Sequence, residues 1–347
     1  MKWNVYERNY ISMAKLKGKT DEYCIRQLEY AKQLFDKKVP IIYNQAHLCL
    51  LLGYDEEYVY AACNQPHAFY RSFNIPKKNG KLRRIDEPLP SLKEIQTWIL
   101  NEILNHIEIS PYAKAYIKGK SIKDNARFHR KQSKVLTMDI SDFFPSISFN
   151  RVLHVFRKVG YRENVAVMLA NLCCLDGSVP QGSPTSPMLS NIVASSLDYK
   201  IIKYIGKDKI RYTRYADDMT FSGDFKEGDL IKNVERIANR EGFRINEEKT
   251  RTRYKNQRQE VTGIVVNEKM QISRNVRRKI RSDVYYIRKY GLESHMEHEG
   301  IRKQNYLYYL MGITSYALFI NPMDEQLKGY VEFLRNEIIN YKQRKIV

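Results

Sequence analysis

The sequence is poor in negative charge and in long apolar runs. It has 39 Asp+Glu against 59 Lys+Arg, which gives a formal net charge of +20. This shortage of acid indicates a polyanionic partner, with nucleic acid as the first candidate and an anionic membrane surface as the second. No apolar stretch approaches the ~20 residues of a membrane span, and the N-terminus lacks the apolar block of a signal peptide. We therefore expect a nucleic-acid partner and no membrane.

Cysteine is scarce as well. The five cysteines include no C-x-x-C pair, so the usual zinc and thiol–disulfide motifs are missing and no even disulfide framework is available. Buried thiols in a reducing compartment account for them most simply. We therefore expect a cytoplasmic protein.

Alternating strand and helix patterns predict a mixed α+β core, followed by a helical, basic and tyrosine-rich C-terminal part. Helices are expected over residues 1–66, 92–107, about 151–174 and about 229–241, and after the Pro/Gly/Ser-rich loop 178–191. A β-hairpin with a Lys-Asn-Gly turn is expected over 69–88. Further strands are expected within 134–147, near 211–222 and at 260–266.

Two adjacent aspartates interrupt an apolar, aromatic stretch, "RYTRYADDMTFSG". Asp217 and Asp218 repel each other, and each is costly to desolvate unless it is paired or binds a cation. A third acid, Asp139, ends an apolar strand in "TMDISDFF". Three carboxylates on adjacent strand ends form an oxygen-rich cage of the kind that Mg²⁺ prefers. We expect two Mg²⁺ ions there, able to activate an attacking hydroxyl and stabilise leaving pyrophosphate; for the dipeptide alone, an acidic hairpin turn is the alternative.

Five stretches occur in the order of the reverse-transcriptase palm motifs: "MDISDFFPSI", "VPQGSPTSPMLSN", "YADD", "GFRINEEKT" and "VTGIVVN". Over about residues 70–285 the chain resembles that family. The resemblance implies an RNA-directed DNA polymerase with a right-hand fold of fingers, palm and helical thumb. It divides the chain into a helical region 1–66, interleaved fingers and palm 67–265, and a thumb or RNA-binding region 266–347. It also makes Asp139, Asp217 and Asp218 the catalytic metal ligands, with the backbone of Ile140 completing a metal shell.

The resemblance also assigns nucleotide-binding roles. Phe144 would lie under the incoming sugar and exclude a 2′-hydroxyl, while Phe143 beside it is expected in the core. Gln181 and Gly182 would pack on nucleotide and template, and Lys249 would protonate departing pyrophosphate unless it is an ordinary surface lysine. A basic hairpin tip would close over the triphosphate unless it is simply solvated, and Arg83 matches the family's fingers arginine best. The tip comprises Lys77, Lys78, Lys81, Arg83 and Arg84.

Two further stretches resemble the bacterial retron reverse transcriptases: "DNARFH", with the pattern N-A-x-x-H, and "VTG". They make Asn125 and His129 candidate RNA contacts, although a packing histidine next to Asn125 is the alternative. A retron enzyme primes from a 2′-hydroxyl of its own structured noncoding RNA and copies part of it into attached DNA. The implied partners are that RNA with its DNA product, dNTPs and a separate effector protein in antiphage defence.

A basic helix is expected to begin near residue 269. Its arginines would grip an RNA stem through phosphates, or else form a solvated face; they are Arg274, Arg277, Arg278 and Arg281. Two other functions stay open. One is a group II intron-like or other defence-associated reverse transcriptase, which would differ in its primer. The other is a non-catalytic RNA-binding scaffold, against which the three intact acids argue.

Overall fold

Four helices open the chain in the computed structural model, which describes residues 2–77, 80–206, 210–303 and 305–344. They are α1 (Trp3–Leu16), α2 (Asp21–Asp36), α3 (Gln45–Leu52) and α4 (Glu56–Asn64). Polar side chains cap the N-termini of α2 and α3: Thr20 accepts from the N–H of Tyr23, and Asn44 accepts from the N–H of His47. These caps satisfy donors that a helix start leaves open. The helical character predicted for residues 1–66 is confirmed.

A β-hairpin follows, as its alternating pattern predicts. Strands β1 (Tyr70–Pro76) and β2 (Leu82–Pro88) pair antiparallel, with Tyr70 opposite Pro88. The turn is closed by the N–H of Lys77, which donates to the carbonyl of Lys81 at 2.7 Å. Lys78 and Asn79 of the predicted turn lie outside the described residues.

Six more helices follow among the described residues, and one of them, Glu163–Cys173, is largely buried. The helices are α5 (Pro90–Glu102), α6 (Ile122–Phe128), α7 (Phe149–Val159), α8 (Glu163–Cys173), α9 (Ser186–Ile205) and α10 (Glu227–Arg240). Helix α8 contacts α3, α4, α5 and α7, and seven of its eleven residues are buried, as expected of a core helix. The single helix predicted over about 151–174 is wrong, because Gly160 ends α7 in the left-handed region, at φ 116°.

A four-stranded sheet carries the acidic residues. Its strands are β3 (Lys134–Ser141), β4 (Arg211–Tyr215), β5 (Asp218–Gly223) and β6 (Arg244–Tyr254), in the spatial order β4-β5-β3-β6. Because side chains alternate along a strand, Met138, Met219 and Phe221 fall on one face and are buried. Asp139 and Asp218 fall on the other face.

The stretch 260–266, predicted as one strand, is instead a tight hairpin. Strands β7 (Glu260–Val261) and β8 (Ile264–Val265) pair across a two-residue turn. Thr262 and Gly263 form the turn at φ 46° and 84°, which is the backbone of a type I′ turn. Glycine adopts this conformation freely, whereas a β-branched threonine does not.

The C-terminal part is helical, as predicted. It consists of α11 (Arg274–Tyr290), α12 (Leu292–His298), α13 (Tyr306–Ile320) and α14 (Glu325–Arg344). Its core comprises Ile280, Val284, Ile287, Leu310 and Leu334, among other buried side chains. Among the described residues, no helix is both long enough and apolar enough to cross a bilayer.

By its contacts the chain divides into two units, each built from separate stretches of sequence. The first unit comprises Met1–Tyr116, Ile140–Gly206 and Ile231–Asn246, and the second Ile117–Asp139, Lys207–Leu230 and Glu247–Val347. Residues 66 and 265, where the sequence predicts domain boundaries, both lie inside these units. The predicted division into a helical region, fingers and palm, and a thumb stays a prediction. The second unit contains the three aspartates and Lys249.

Candidate active site

The turn between β4 and β5 presents Asp217 and Asp218. Tyr215 pairs with Asp218, and the connection passes through Ala216 at φ 58°, which is unusual for a residue with a Cβ. Arg214 is fully buried, and one of its guanidinium N–H groups donates to the carbonyl of Ala216 at 3.1 Å. Sequence reasoning did not identify Arg214 as a support of this turn. The available signal was an arginine within the apolar stretch just before the two aspartates.

Asp139 lies directly opposite Asp218 on the neighbouring strand β3. Like charges in facing positions repel. Asp218 keeps part of its surface in water, yet the protein around its carboxylate removes much of the solvent. This desolvation, with the charges of Asp217 and Asp139, raises the pKa of Asp218 to about 6. The structure therefore brings the three predicted acids into electrostatic contact, where a cation would relieve the repulsion.

Lys249 on β6 supplies a positive charge to this cluster. Its Nζ donates to both carboxylate oxygens of Asp139, at 2.8 and 2.9 Å. The hydrogen bond to Asp139, together with the charges of the three acids, raises the pKa of Lys249. Lys249 is therefore not an ordinary surface lysine, and its role toward pyrophosphate stays a prediction.

The donor atoms suit a hard divalent cation in chemical type, since all three side chains offer carboxylate oxygens. Within the described parts of the chain, no group of three or more His, Cys, Asp or Glu side chains is arranged to hold a metal ion. The metal site of three carboxylates therefore stays a prediction. The ammonium of Lys249 engages the oxygens of Asp139 that a cation would use. Ile140 follows Asp139 on β3 with a buried side chain, and its carbonyl ligation stays a prediction.

In the first unit, Gln181 and Gly182 lie against β2 of the basic hairpin. The Gln181 carbonyl accepts from the N–H of Asp86 at 2.8 Å. A Cβ at position 182 would meet the Asp86 carbonyl oxygen at 2.6 Å, at a φ of +136°. Only glycine fits this approach, so the backbone of Gly182 lies close to the hairpin. The predicted contacts of both residues with nucleotide and template stay predictions.

Phe144 lies just beyond the end of β3, half-buried, with its ring centroid 6.5 Å from that of Tyr116. Its neighbour Phe143 is only 4% exposed, which confirms the prediction that Phe143 belongs to the core. Phe144 thus keeps an accessible aromatic surface, as a residue that touches a sugar must.

The arginines of the basic hairpin differ in how they are held. Arg84 donates from Nε to Asp86 at 2.7 Å and forms an ion pair with Asp176. The Arg83 side chain is exposed and makes no hydrogen bond or ion pair with any described residue. Lys77 is also exposed. Arg83, rather than Arg84, therefore has its guanidinium available for a phosphate.

Asn125 and His129 are fully buried in the second unit, and so are Thr213 and Ser222. His129 Nε2 lies 2.7 Å from Thr213 Oγ1, and Nδ1 lies 2.7 Å from Ser222 Oγ. Thr213 donates to Asn125 Oδ1 at 2.6 Å. This placement supports the packing alternative for His129, and it gives no support to a direct RNA contact by either residue.

The basic helix is α11, and its arginines do not share one environment. Arg274, Arg278 and Arg281 are exposed, and their spacing of four and three residues places them on one helix face. Arg277 is different, because it forms a bidentate ion pair with Asp324 and also donates to Gln326 at 3.0 Å. This pairing raises the pKa of Arg277 and lowers that of Asp324. Three of the four predicted arginines are therefore available to RNA.

Comparison with known proteins identifies a family over the part of the chain that contains the three aspartates and Lys249. Residues 75–266 match the family described as "Reverse transcriptase (RNA-dependent DNA polymerase)". Retron Ec86 reverse transcriptase of Escherichia coli is 36% identical over 237 residues, covering 66% of this chain and 73% of that protein. Retron Mx65 reverse transcriptase of Myxococcus xanthus is 34% identical, covering 73% of this chain and 62% of that protein.

Retron Ec83 reverse transcriptase of Escherichia coli is 29% identical over 303 residues, covering 81% of this chain and 93% of that protein. A Candida albicans telomerase structure with a fragment of telomeric RNA gives a TM-score of 0.45 at 12% identity, covering 77% of this chain and 57% of that chain. That likeness is too low to add to the argument. The mixed α+β class is confirmed, and the right-hand polymerase fold comes with the family. The chain belongs to the retron reverse transcriptases, a family of RNA-directed DNA polymerases.

Proposed function

We propose that this polymerase copies part of a cognate structured noncoding RNA into multicopy single-stranded DNA. Synthesis starts from a 2′-hydroxyl of that RNA, and the product serves antiphage defence together with a separate effector protein. The retron relatives and the two motifs "DNARFH" and "VTG" support this specialisation. The five free cysteines suit the reducing cytoplasm in which we propose that it acts.

The proposed polymerase chemistry rests on one observation: Asp139 and Asp218 face each other on neighbouring strands, with Asp217 beside them. We assign Mg²⁺ as the divalent metal, held by the three carboxylates and the carbonyl of Ile140. When bound, two such ions activate the attacking hydroxyl and stabilise the leaving pyrophosphate. Lys249 would leave Asp139 as the ions arrive. The Lys249 ammonium is protonated at neutral pH, and once released from Asp139 it would donate its proton to pyrophosphate.

The nucleotide roles rest on the side chains left available in the first unit. Arg83 and Lys77 offer cationic groups for the triphosphate. Phe144 offers a ring that would exclude a 2′-hydroxyl, so that dNTPs are preferred. Gln181 offers a side chain that both donates and accepts hydrogen bonds. On α11, Arg274, Arg278 and Arg281 would bind the phosphates of an RNA stem.

The test is to purify the protein from its native locus, extract the bound nucleic acid, and treat it with RNase and with a debranching enzyme. DNA joined to RNA, and released by debranching, is the expected result. The Asp139→Asn variant is the matched control, and it should retain the RNA without attached DNA. RNA without DNA from the unaltered protein, combined with extension of an added primer–template, would indicate another reverse transcriptase subtype. RNA without any polymerase activity would indicate a scaffold.

A further inference from the structure

We propose that Asn125, His129, Thr213 and Ser222 form a positioning network that holds the β4–β5 hairpin in its catalytic geometry. The proposal rests on the catalytic role assigned above to Asp217 and Asp218. The four residues come from helix α6, from the residue after it, and from the two strands of the hairpin. They act through the aspartates and need no contact with substrate.

The network is continuous and closed to water. All four side chains are 0% exposed, and three hydrogen bonds of 2.6–2.7 Å join them. A buried polar group that loses its partner incurs its full desolvation cost, so such a network permits few alternative arrangements. His129 bonds both strands of the hairpin at once, and therefore fixes them relative to each other and to α6.

The directions of these hydrogen bonds follow from the atoms involved. Asn125 Oδ1 can only accept, so the hydroxyl proton of Thr213 is committed to it. Thr213 Oγ1 must then accept from His129, which places a hydrogen on Nε2. In the neutral imidazole, Nδ1 is left as an acceptor for the hydroxyl of Ser222. The network therefore specifies one histidine tautomer, and each hydrogen bond in it has a defined donor and acceptor.

The strand register connects this network to the acids. Thr213 lies two residues before Tyr215, and Ser222 lies four residues after Asp218, so both lie on the sheet face that carries Asp218. Asp139 is on the same face, opposite Asp218. A shift of Thr213 or Ser222 along its strand would be passed directly to the carboxylates.

The network also reaches the β7–β8 turn. Asn125 Nδ2 donates to Thr262 Oγ1 at 3.4 Å. Thr262 occupies the left-handed region at φ 46°, where asparagine or glycine is usual and a β-branched residue is strained. The hydroxyl that meets Asn125 gives a reason for a threonine there. The two motifs "DNARFH" and "VTG" thus meet through the hydrogen bond between Asn125 and Thr262.

Thr213→Val is the first test, because it keeps the shape of the side chain and removes the hydroxyl. Steady-state extension of a primer–template should show kcat lowered about tenfold or more, as expected when reacting groups are misplaced. The KM for dNTP and the Kd for RNA should stay within about twofold, because substrate contacts are untouched. Thr213→Ser should restore most of the rate. Ser222→Ala, a milder change, should lower kcat in the same direction.

The matched control is Thr314→Val on α13, which removes another fully buried hydroxyl, one that donates to the carbonyl of Leu310 at 2.7 Å. It should leave kcat unchanged.

Two-bond ¹⁵N–¹H spectra should show His129 as the Nε2–H tautomer, and the Nδ1–H tautomer would contradict the network. A Thr213→Val enzyme with normal kcat, or one altered only in KM, would overturn the proposal. Activity in Asp218→Asn would instead overturn the catalytic assignment itself.

Discussion

At the scale of single residues, Asp218 is held where its charge is unfavourable until a cation arrives. Its pKa is raised to about 6 by desolvation and by Asp217 and Asp139. The folded protein thus binds the Asp218 proton more tightly than the unfolded chain does. This contribution to stability is present at low pH, and it is lost as the pH rises through about 6.

Asp218→Asn should therefore have opposite effects on activity and stability. DNA synthesis should be abolished, because a metal ligand is lost. At pH 7.5 without divalent ions, Tm should rise by about 2–4 °C, because the repulsion between facing carboxylates disappears. At pH 4.5 the gain should shrink, since wild-type Asp218 is then protonated. Thermal unfolding in EDTA at both pH values measures this, and a lower Tm at pH 7.5 would mean that partners stabilise the carboxylate.

The second prediction at a single residue concerns Phe144 and the choice between deoxyribonucleotides and ribonucleotides. Phe144→Val should raise ribonucleotide incorporation by about tenfold or more, since removing a steric block of this kind is worth roughly 1–3 kcal/mol. Competition between dGTP and GTP in primer extension measures the ratio. Phe143→Val is the contrasting variant, because Phe143 is buried and its loss should lower stability without changing sugar selection. Unchanged selection in Phe144→Val would remove this residue from the sugar site.

Sequence reasoning identifies the acids more reliably than their neighbours. Asp139, Asp217 and Asp218 stand out because charged residues in apolar strands need a partner. The pairing of Lys249 with Asp139 joins residues far apart in sequence, and only the folded sheet shows it. For Asn125 and His129 the motif gives a spacing, but it does not say which side of α6 faces inward. Their burial follows from packing against β4 and β5.

At the scale of elements, the loop before α9 depends on a glycine that approaches another strand. Gly182→Ala should destabilise the protein by about 1–3 kcal/mol, because φ is +136° and the new Cβ would meet the carbonyl oxygen of Asp86 at 2.6 Å. Gly312→Ala is the control, since an added Cβ on this helical glycine has no neighbour within 4 Å; it should be neutral or stabilising. Chemical denaturation gives both values, and equal stability of the two variants would contradict the close approach.

Helix α11 offers a test within a single element. Arg278→Ala should weaken RNA binding and reduce the slope of log Kd against log salt by about 1, as loss of one phosphate contact requires. Arg277→Ala removes the same charge, but its guanidinium is engaged by Asp324. That variant should lower stability and leave the salt slope unchanged. Filter binding between 50 and 300 mM salt distinguishes them, and equal slopes for both variants would place the RNA elsewhere.

Most elements follow from local patterns, and the exceptions have local causes. The 3.6-residue period predicts α5 and α10, and alternation predicts β1 and β2. The division of 151–174 into α7 and α8 depends on Gly160, whose position inside an apolar pattern conceals a helix end. The β7–β8 turn was missed because Thr262 is not a usual residue for its backbone. Its side-chain partner Asn125 lies well over 100 residues away in the sequence.

At the scale of the whole molecule, the sequence predicts the class of the fold but not how its segments combine. Each of the two units gathers three separate stretches of chain. Neither boundary predicted from the sequence, at residues 66 and 265, coincides with a boundary between these stretches. What the sequence does determine globally is charge, because each lysine and arginine contributes wherever it lies on the surface.

The net charge of +20 leads to the last prediction. If the excess cations bind phosphates, RNA association releases counterions, and the affinity should fall about 10³–10⁵-fold between 50 and 200 mM salt, as expected for 6–10 phosphate contacts. Asp139→Asn should show the same slope, because its acid serves catalysis and not the RNA backbone. Fluorescence anisotropy with a labelled structured RNA measures both proteins. An affinity that changes less than about tenfold would show that the lysines and arginines mainly solvate the surface, and that RNA is held by a few neutral contacts instead.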